Sequence, residues 1–166
     1  YYQFAAHFAR VGQKPATAEG DESIFEAQGG EVQHPRTNQT VAAAFPYSIP
    51  GNAARVGTRR ENLARWLTSE ENPYFARSIV NRIWSYLLGK GIIDPVDDIR
   101  GSNPATNPEL LDTLTSDFVE SGFDMRRLMR TICRSRVYQA TIKTNRWNVD
   151  DHINFSHATP RRLTAE

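Results

Sequence analysis

The chain has 166 residues, 39% of them hydrophobic, enough for one domain with a real core or for a small domain with flanking pieces. Lys and Arg number 20 against 19 Asp and Glu, and a net charge of +1 excludes a global field that would draw in nucleic acid or an anionic membrane, so any basic site must be local. Cys133 is the one cysteine, which excludes an intrachain disulfide and a zinc site built on several thiolates, and no apolar run approaches the roughly 20 residues that span a bilayer.

From the start of the chain, Tyr1, Phe4, Ala5, Phe8 and Val11 recur at helical spacing, with His7 and Arg10 turned the other way and Gly12 placed to close the helix. The spacing predicts a terminal helix over residues 1–12. The text from 13 to 57 changes to Gly, Pro, Ala and Thr with isolated hydrophobics, and SIFEAQGGEVQHPRTNQTV predicts a small β-hairpin in a long connector, with turns at Gly29-Gly30 and Pro35–Asn38.

Thr58 stands three residues before Glu61, the spacing of a reciprocal capping box, and predicts a helix running to about Ser69. Asn72-Pro73 repeats the start signal, with an Asn cap and a proline at the first helical position, for a helix ending at Gly89. Asn107-Pro108-Glu109 does so again, with Gly122 as the stop, and Asp124 caps a last helix carrying Leu128, Met129, Ile132 and Cys133. Between Gly89 and Asn107, KGIIDPVDDIRGSNPAT is dense in turn formers and carboxylates and longer than the usual connection, a length at which ordered loops are often functional. Periodicity fades after Tyr138, and ATPRRLTAE reads as a new helix cut short. With Tyr1 in place of Met at the start, both ends are expected to be cut from something longer. The fold class is therefore mainly α, an irregular helical bundle with a small hairpin in its N-terminal connector.

All but three of the basic side chains are arginines, and a planar guanidinium satisfies several acceptors at once, so pairing inside the fold or at an interface is expected, although a GC-rich gene gives the same excess. On a helical wheel, Phe75, Ala76, Ile79, Val80, Ile83, Trp84, Leu87 and Leu88 cover more than half of the circumference. Arg77 falls inside that apolar arc, while Ser78, Asn81, Arg82 and Ser85 fill the polar strip. A buried guanidinium demands an acceptor, and Asp94, Asp97 and Asp98 are the nearest in sequence. Arg77 or Arg82 is expected to clamp the loop through one of them. A ligand or metal reading rests on the same set, Arg77, Asn81, Arg82, Asp94, Asp97, Asp98 and Arg100, but the spacing lacks the ligand pattern of a helix-loop-helix calcium site, and no metal is assigned.

Asp150, Asp151, His152 and His157 form a second mixed cluster without metal-ligand spacing. Arg126, Arg127, Arg130, Arg134 and Arg136 make a basic stripe whose sharp reading is nucleic acid and whose plain reading is a solvated face paired with Asp112, Asp117 or Glu120. Cys133 sits on the apolar side of its helix, where thiols are packing groups, and no GxSxG elbow is present. No residue is assigned as catalytic. His34, with Arg36 nearby, and His157 are the remaining candidates for acid–base or ligand roles.

The run NPYFARSIVNRIWSYLLGKGIIDPVDDIRGSNPATNPELLDTLTSDFV, followed by DMRRLMRTICRSRVYQ, resembles the C-terminal domain of unknown function in the large cytochrome-c-like proteins abundant in planctomycetes. The resemblance covers about Thr58 to Glu166, and YYQFAAHFAR and EVQHPRTNQTV resemble the tail of the preceding domain of the same proteins, over residues 1–45. Departures are small: Asn38 stands where that family tends to have Gly, and Ala42 to Ala44 where it has prolines. The resemblance implies an extracytoplasmic setting, neighbouring domains of the same polypeptide as partners, and a parent carrying haem c on a CxxCH motif upstream of Tyr1. This chain has no CxxCH, so no cofactor falls to its own residues. Architecture and context transfer from a family without a known activity, whereas mechanism does not. Three functions stand side by side: a non-catalytic structural or interaction module, an enzyme domain conceivably directed at polysaccharide with Asp97, Asp98, Arg100, His34 and His157 in one pocket, and a nucleic-acid binder using the Arg126–Arg136 stripe, the last not expected.

Overall fold

In the computed structural model, which describes residues 1–15, 20–50 and 56–162, the chain divides between Asn72 and Pro73 into two units. It is mainly α-helical, with small antiparallel hairpins near the N-terminus.

The first unit departs most from the sequence reading. Helix α1 spans only Tyr2–Ala5, and Val11–Lys14 is a strand, β1, that pairs antiparallel with β2, Ser23–Glu26. The expected helix over residues 1–12 is thus corrected to one turn of helix followed by a strand. Gly12 does not close a helix. The Phe25 ring lies across it, so that a Cβ there would sit 2.5 Å from Phe25 Cζ. The second hairpin, β3 (Val32–Gln33) with β4 (Thr40–Val41), carries the expected turn at 35–38, and there are two hairpins where one was expected. Asn38 adopts φ 53°, the left-handed conformation that Gly and Asn tolerate best.

Helix α2, Arg59–Leu67, opens on the full capping box: Glu61 N–H donates to Thr58 Oγ1 at 3.2 Å, and Glu61 Oε2 accepts from Thr58 N–H at 2.7 Å. Hydrogen bonds from Thr58 hold the Glu61 carboxyl below its ordinary range. The face of α2 that carries Leu63 and Trp66 is buried with Ile49 against Phe45 and Tyr47. His7, expected to point outward, is buried. Its Nδ1 donates to the Arg59 carbonyl at 3.2 Å, and its ring stacks on Phe45, which stacks in turn on Trp66. Arg59 Nη2 takes both oxygens of Glu31, and Arg60 Nε and Nη2 share one oxygen of Glu26, so these arginines tie α2 to the hairpin region.

The second unit is built on α3 (Phe75–Leu88), α4 (Pro108–Glu120) and α5 (Met125–Arg134), which bury Val80, Trp84, Leu111, Phe118, Leu128 and Ile132 against one another. Regular helix in α3 starts at Phe75 instead of Pro73, after a turn at Pro73-Tyr74, and ends at Gly89 with φ 88°. The caps of the other two fall where the sequence marks them. Asn107 accepts from Leu110 N–H with Pro108 at the first position, and Asp124 accepts from the amides of Arg126 and Arg127. Residues 158–162 are irregular, and the rest of the expected helix in ATPRRLTAE lies outside the described residues.

Candidate functional site

The connection from Gly89 to Asn107 is an ordered loop whose Ile92 and Ile93 enter the core beside Val80 and Trp84. Asn81 holds it. This side chain, 0% exposed, donates from Nδ2 to the carbonyls of Ile93 (2.9 Å) and Val96 (3.2 Å), and its Oδ1 accepts from Ile93 N–H at 2.9 Å. Gly91 permits the approach, because a Cβ there would stand 2.1 Å from the Ile93 carbonyl oxygen and 3.1 Å from both amide atoms of Asn81. Asn103 Nδ2 ties the carbonyls of Asp94 and Asp98, and Thr106 ties that of Ile92 through both its amide and its hydroxyl. A wheel of an isolated helix puts Asn81 on the polar strip. Asn81 is buried because the loop folds back over it, while Arg82 on the same strip stays exposed.

Of the two arginines expected to clamp the loop, Arg77 does not meet its carboxylates. Arg77 retains 29% side-chain exposure and pairs at 2.5 Å with Asp112 of α4. Its long stem lies along the apolar arc while the head reaches the neighbouring helix and water, as arginines on such faces do. Arg82 does meet the loop, in an exposed pair with Asp97, and Arg100 pairs with Asp98 at 2.8 Å. Asp94 is exposed and in none of the ion pairs among the described residues. Arg77 and Arg100 border a 470 Å³ groove with Tyr74, Ile99, Asn103 and Pro104, both guanidiniums already engaged by carboxylates.

The other candidates lie elsewhere. His34 belongs to the β3–β4 turn, where its Nδ1 accepts from Arg36 N–H at 3.3 Å and its ring meets Tyr2 edge-on. Arg36 is exposed. His157 lines a 340 Å³ cleft at the C-terminal end of α3, with Lys90, His152, Phe155 and Arg161 among its walls. Asp151 is folded into its own turn, accepting from the amides of Ile153, Asn154 and Ser156. A hydrogen bond from the Ser156 hydroxyl foremost, and then these amides, hold its carboxyl far below the ordinary range. In the basic stripe, Arg127 pairs with Asp117 at 2.5 Å, while Arg126, Arg130 and Arg134 are exposed. Cys133 is a half-buried free thiol.

The sequence reading missed the burial of Asn81, the cleft around His157, and the roles of Lys90 and Arg161. Lys90 carried a usable signal, since a cation just past a helix C-terminus is favoured by the helix dipole. Arg161, 75 residues from Tyr86 whose carbonyl it binds, carried none. Among the described residues, no three His, Cys, Asp or Glu side chains gather as metal ligands, and no helix is long and apolar enough to cross a membrane.

A helical unit whose long connection is locked by a buried amide, with Asp97 and Asp98 of that loop in surface pairs, defines a helical domain built around a clamped loop. Residues 59–166 match PSD1, described as a protein of unknown function (DUF1553), and the chain belongs to that family. No curated protein and no solved structure matches it.

Proposed function

We propose that this chain is a non-catalytic structural and interaction module of a large extracytoplasmic, cytochrome-c-like protein of the planctomycete type, packing against neighbouring domains of the same polypeptide. The observation that carries the module reading is the Asn81 clamp. The loop best suited by length and composition to be an active site spends its main chain on Asn81, Asn103 and Thr106, and two of its carboxylates on Arg82 and Arg100. A catalytic carboxylate is instead held where it can meet a substrate and a perturbed environment sets its protonation.

The cytochrome context is supported by the resemblance of the helical segment and of the YYQFAAHFAR and EVQHPRTNQTV stretches to consecutive domains of such proteins. Haem c needs paired thiols and a histidine in CxxCH, and Cys133, half-buried on α5 without a second cysteine, does not fit that attachment. No residue of this chain is therefore assigned to haem, and the resemblance implies a CxxCH upstream of Tyr1.

The test uses the full-length polypeptide, stained for covalent haem and crosslinked through Lys14, Lys90 and Lys143 for mass spectrometry. Haem staining together with crosslinks from these lysines to the haem-bearing segment supports the module. Absence of covalent haem removes the cytochrome context, and absence of any interdomain crosslink removes the packing role.

A further inference from the structure

From the chemistry of the cleft at the end of α3, we infer a binding site for a small organic oxyanion, a carboxylate or phosphate carried on an apolar body. The chain has three lysines and four histidines, and one of those lysines and two of those histidines converge here with Arg161. Lys90 is half-buried, and its Nζ donates to the His152 carbonyl at 3.0 Å, leaving two of its three N–H groups. Arg161 gives Nη2 to the carbonyls of Tyr86 (2.8 Å) and Leu87 (3.0 Å), leaving Nε and Nη1.

These cations are set apart from the unit's other engaged arginines. Arg77, Arg82, Arg100 and Arg127 each meet a carboxylate, whereas among the described residues Lys90 and Arg161 meet main-chain carbonyls and no carboxylate. The carbonyls at the end of a helix carry about half a negative charge between them, which offsets part of two full positive charges and not all of it. The carboxylate that borders the cleft, Asp151, keeps its charge, but both its oxygens accept from the amides of Ile153, Asn154 and Ser156, whose N–H dipoles offset part of it. His157, which lines the cleft, also has a ring Nδ1 that is shielded from solvent and has no hydrogen-bond partner among the described residues.

Shape selects the ligand. Leu87, Leu88, Val137 and Phe155 supply apolar wall, and 340 Å³ suits a small molecule. Asp94 borders the adjoining 330 Å³ hollow, which shares Lys90, His152 and Arg161, and its charge, in no ion pair among the described residues, directs an anion toward the Phe155–His157 side.

The isotope-labelled chain is titrated separately with benzoate and with inorganic phosphate, with sodium chloride at equal ionic strength as control, while the ring signals of all four histidines are followed by NMR. Saturable shifts of His152 and His157 at roughly millimolar concentration, with His7 and His34 unmoved, are expected. Benzoate binding more tightly than phosphate identifies the apolar body as part of recognition, and the reverse order assigns the site to phosphate itself. K90Q and His157→Phe, each checked for a native amide spectrum, are expected to weaken binding about tenfold. No saturable shift with either anion, equal shifts at all four histidines, or unchanged affinity in folded K90Q overturns the assignment.

Discussion

The side-chain amide of Asn81 and the main chain of Ile93 form a reciprocal pair of hydrogen bonds, both 2.9 Å, inside the core of the helical unit. An amide donates and accepts at once, so one side chain satisfies both polar groups of the residue that the loop inserts. A guanidinium offers only donors.

Replacement of Asn81 strands those groups. Asn81→Leu leaves the Ile93 amide and the carbonyls of Ile93 and Val96 buried without this partner and is expected to cost at least about 3 kcal/mol. Asn81→Asp, nearly identical in shape, keeps the acceptor but sets a negative charge against two carbonyl oxygens, and is expected to be no milder. Urea-denaturation midpoints check both.

Arg77→Met is expected to behave differently. The pair with Asp112 is partly exposed on the arginine and 60% exposed on the aspartate, and methionine retains most of the apolar stem, so the loss is expected to stay within about 1 kcal/mol. The same urea series measures it. A loss as large as that of Asn81→Leu would restore the ionic clamp.

The contrast shows what the sequence discloses. The caps at Thr58–Glu61, Asn107-Pro108 and Asp124 were legible because both partners of each bond lie within a few residues. Arg77 and Asn81 were misread together: the wheel ranked them by helix face, whereas burial was decided by a loop that returns over α3. The same limit hid the β1–β2 pairing, since Val11 and Glu26 are joined by register across a hairpin and not by local period. The cleft stayed hidden because Lys90, His152 and Arg161 meet only after the segment beyond Tyr138 folds back to the end of α3.

Gly91→Ala is expected to be as damaging as loss of the amide. The added methyl meets the Ile93 carbonyl oxygen at 2.1 Å, a main-chain atom already held by Asn81, and overpacking of that kind costs roughly 1–3 kcal/mol or blocks folding. Gly101→Ala, with nothing within 4 Å of the added carbon, is the matched control and is expected to show a midpoint close to that of the parent.

Acid is expected to loosen the turn around Asp151. Its carboxyl is held below the ordinary value of 3.8 by hydrogen bonds from Ser156, Asn154 and Ile153, so its contribution is fully present above that value and is lost as pH falls through the lower folded value. Asp124, held down chiefly by the Arg127 amide, acts in the same direction. Stability is expected to hold to about pH 4 and to decline below it. In Asp151→Asn the decline is expected to be shallower, and an unchanged acid limb would remove Asp151 from the explanation.

Hydrogen exchange at the Ile93 amide tests the clamp most directly. The account predicts that it exchanges only with global unfolding, at the rate of core amides such as those of Val80 and Leu114, and that Asn81→Leu speeds it selectively. Exchange as fast as that of an exposed loop amide in the parent chain would contradict it.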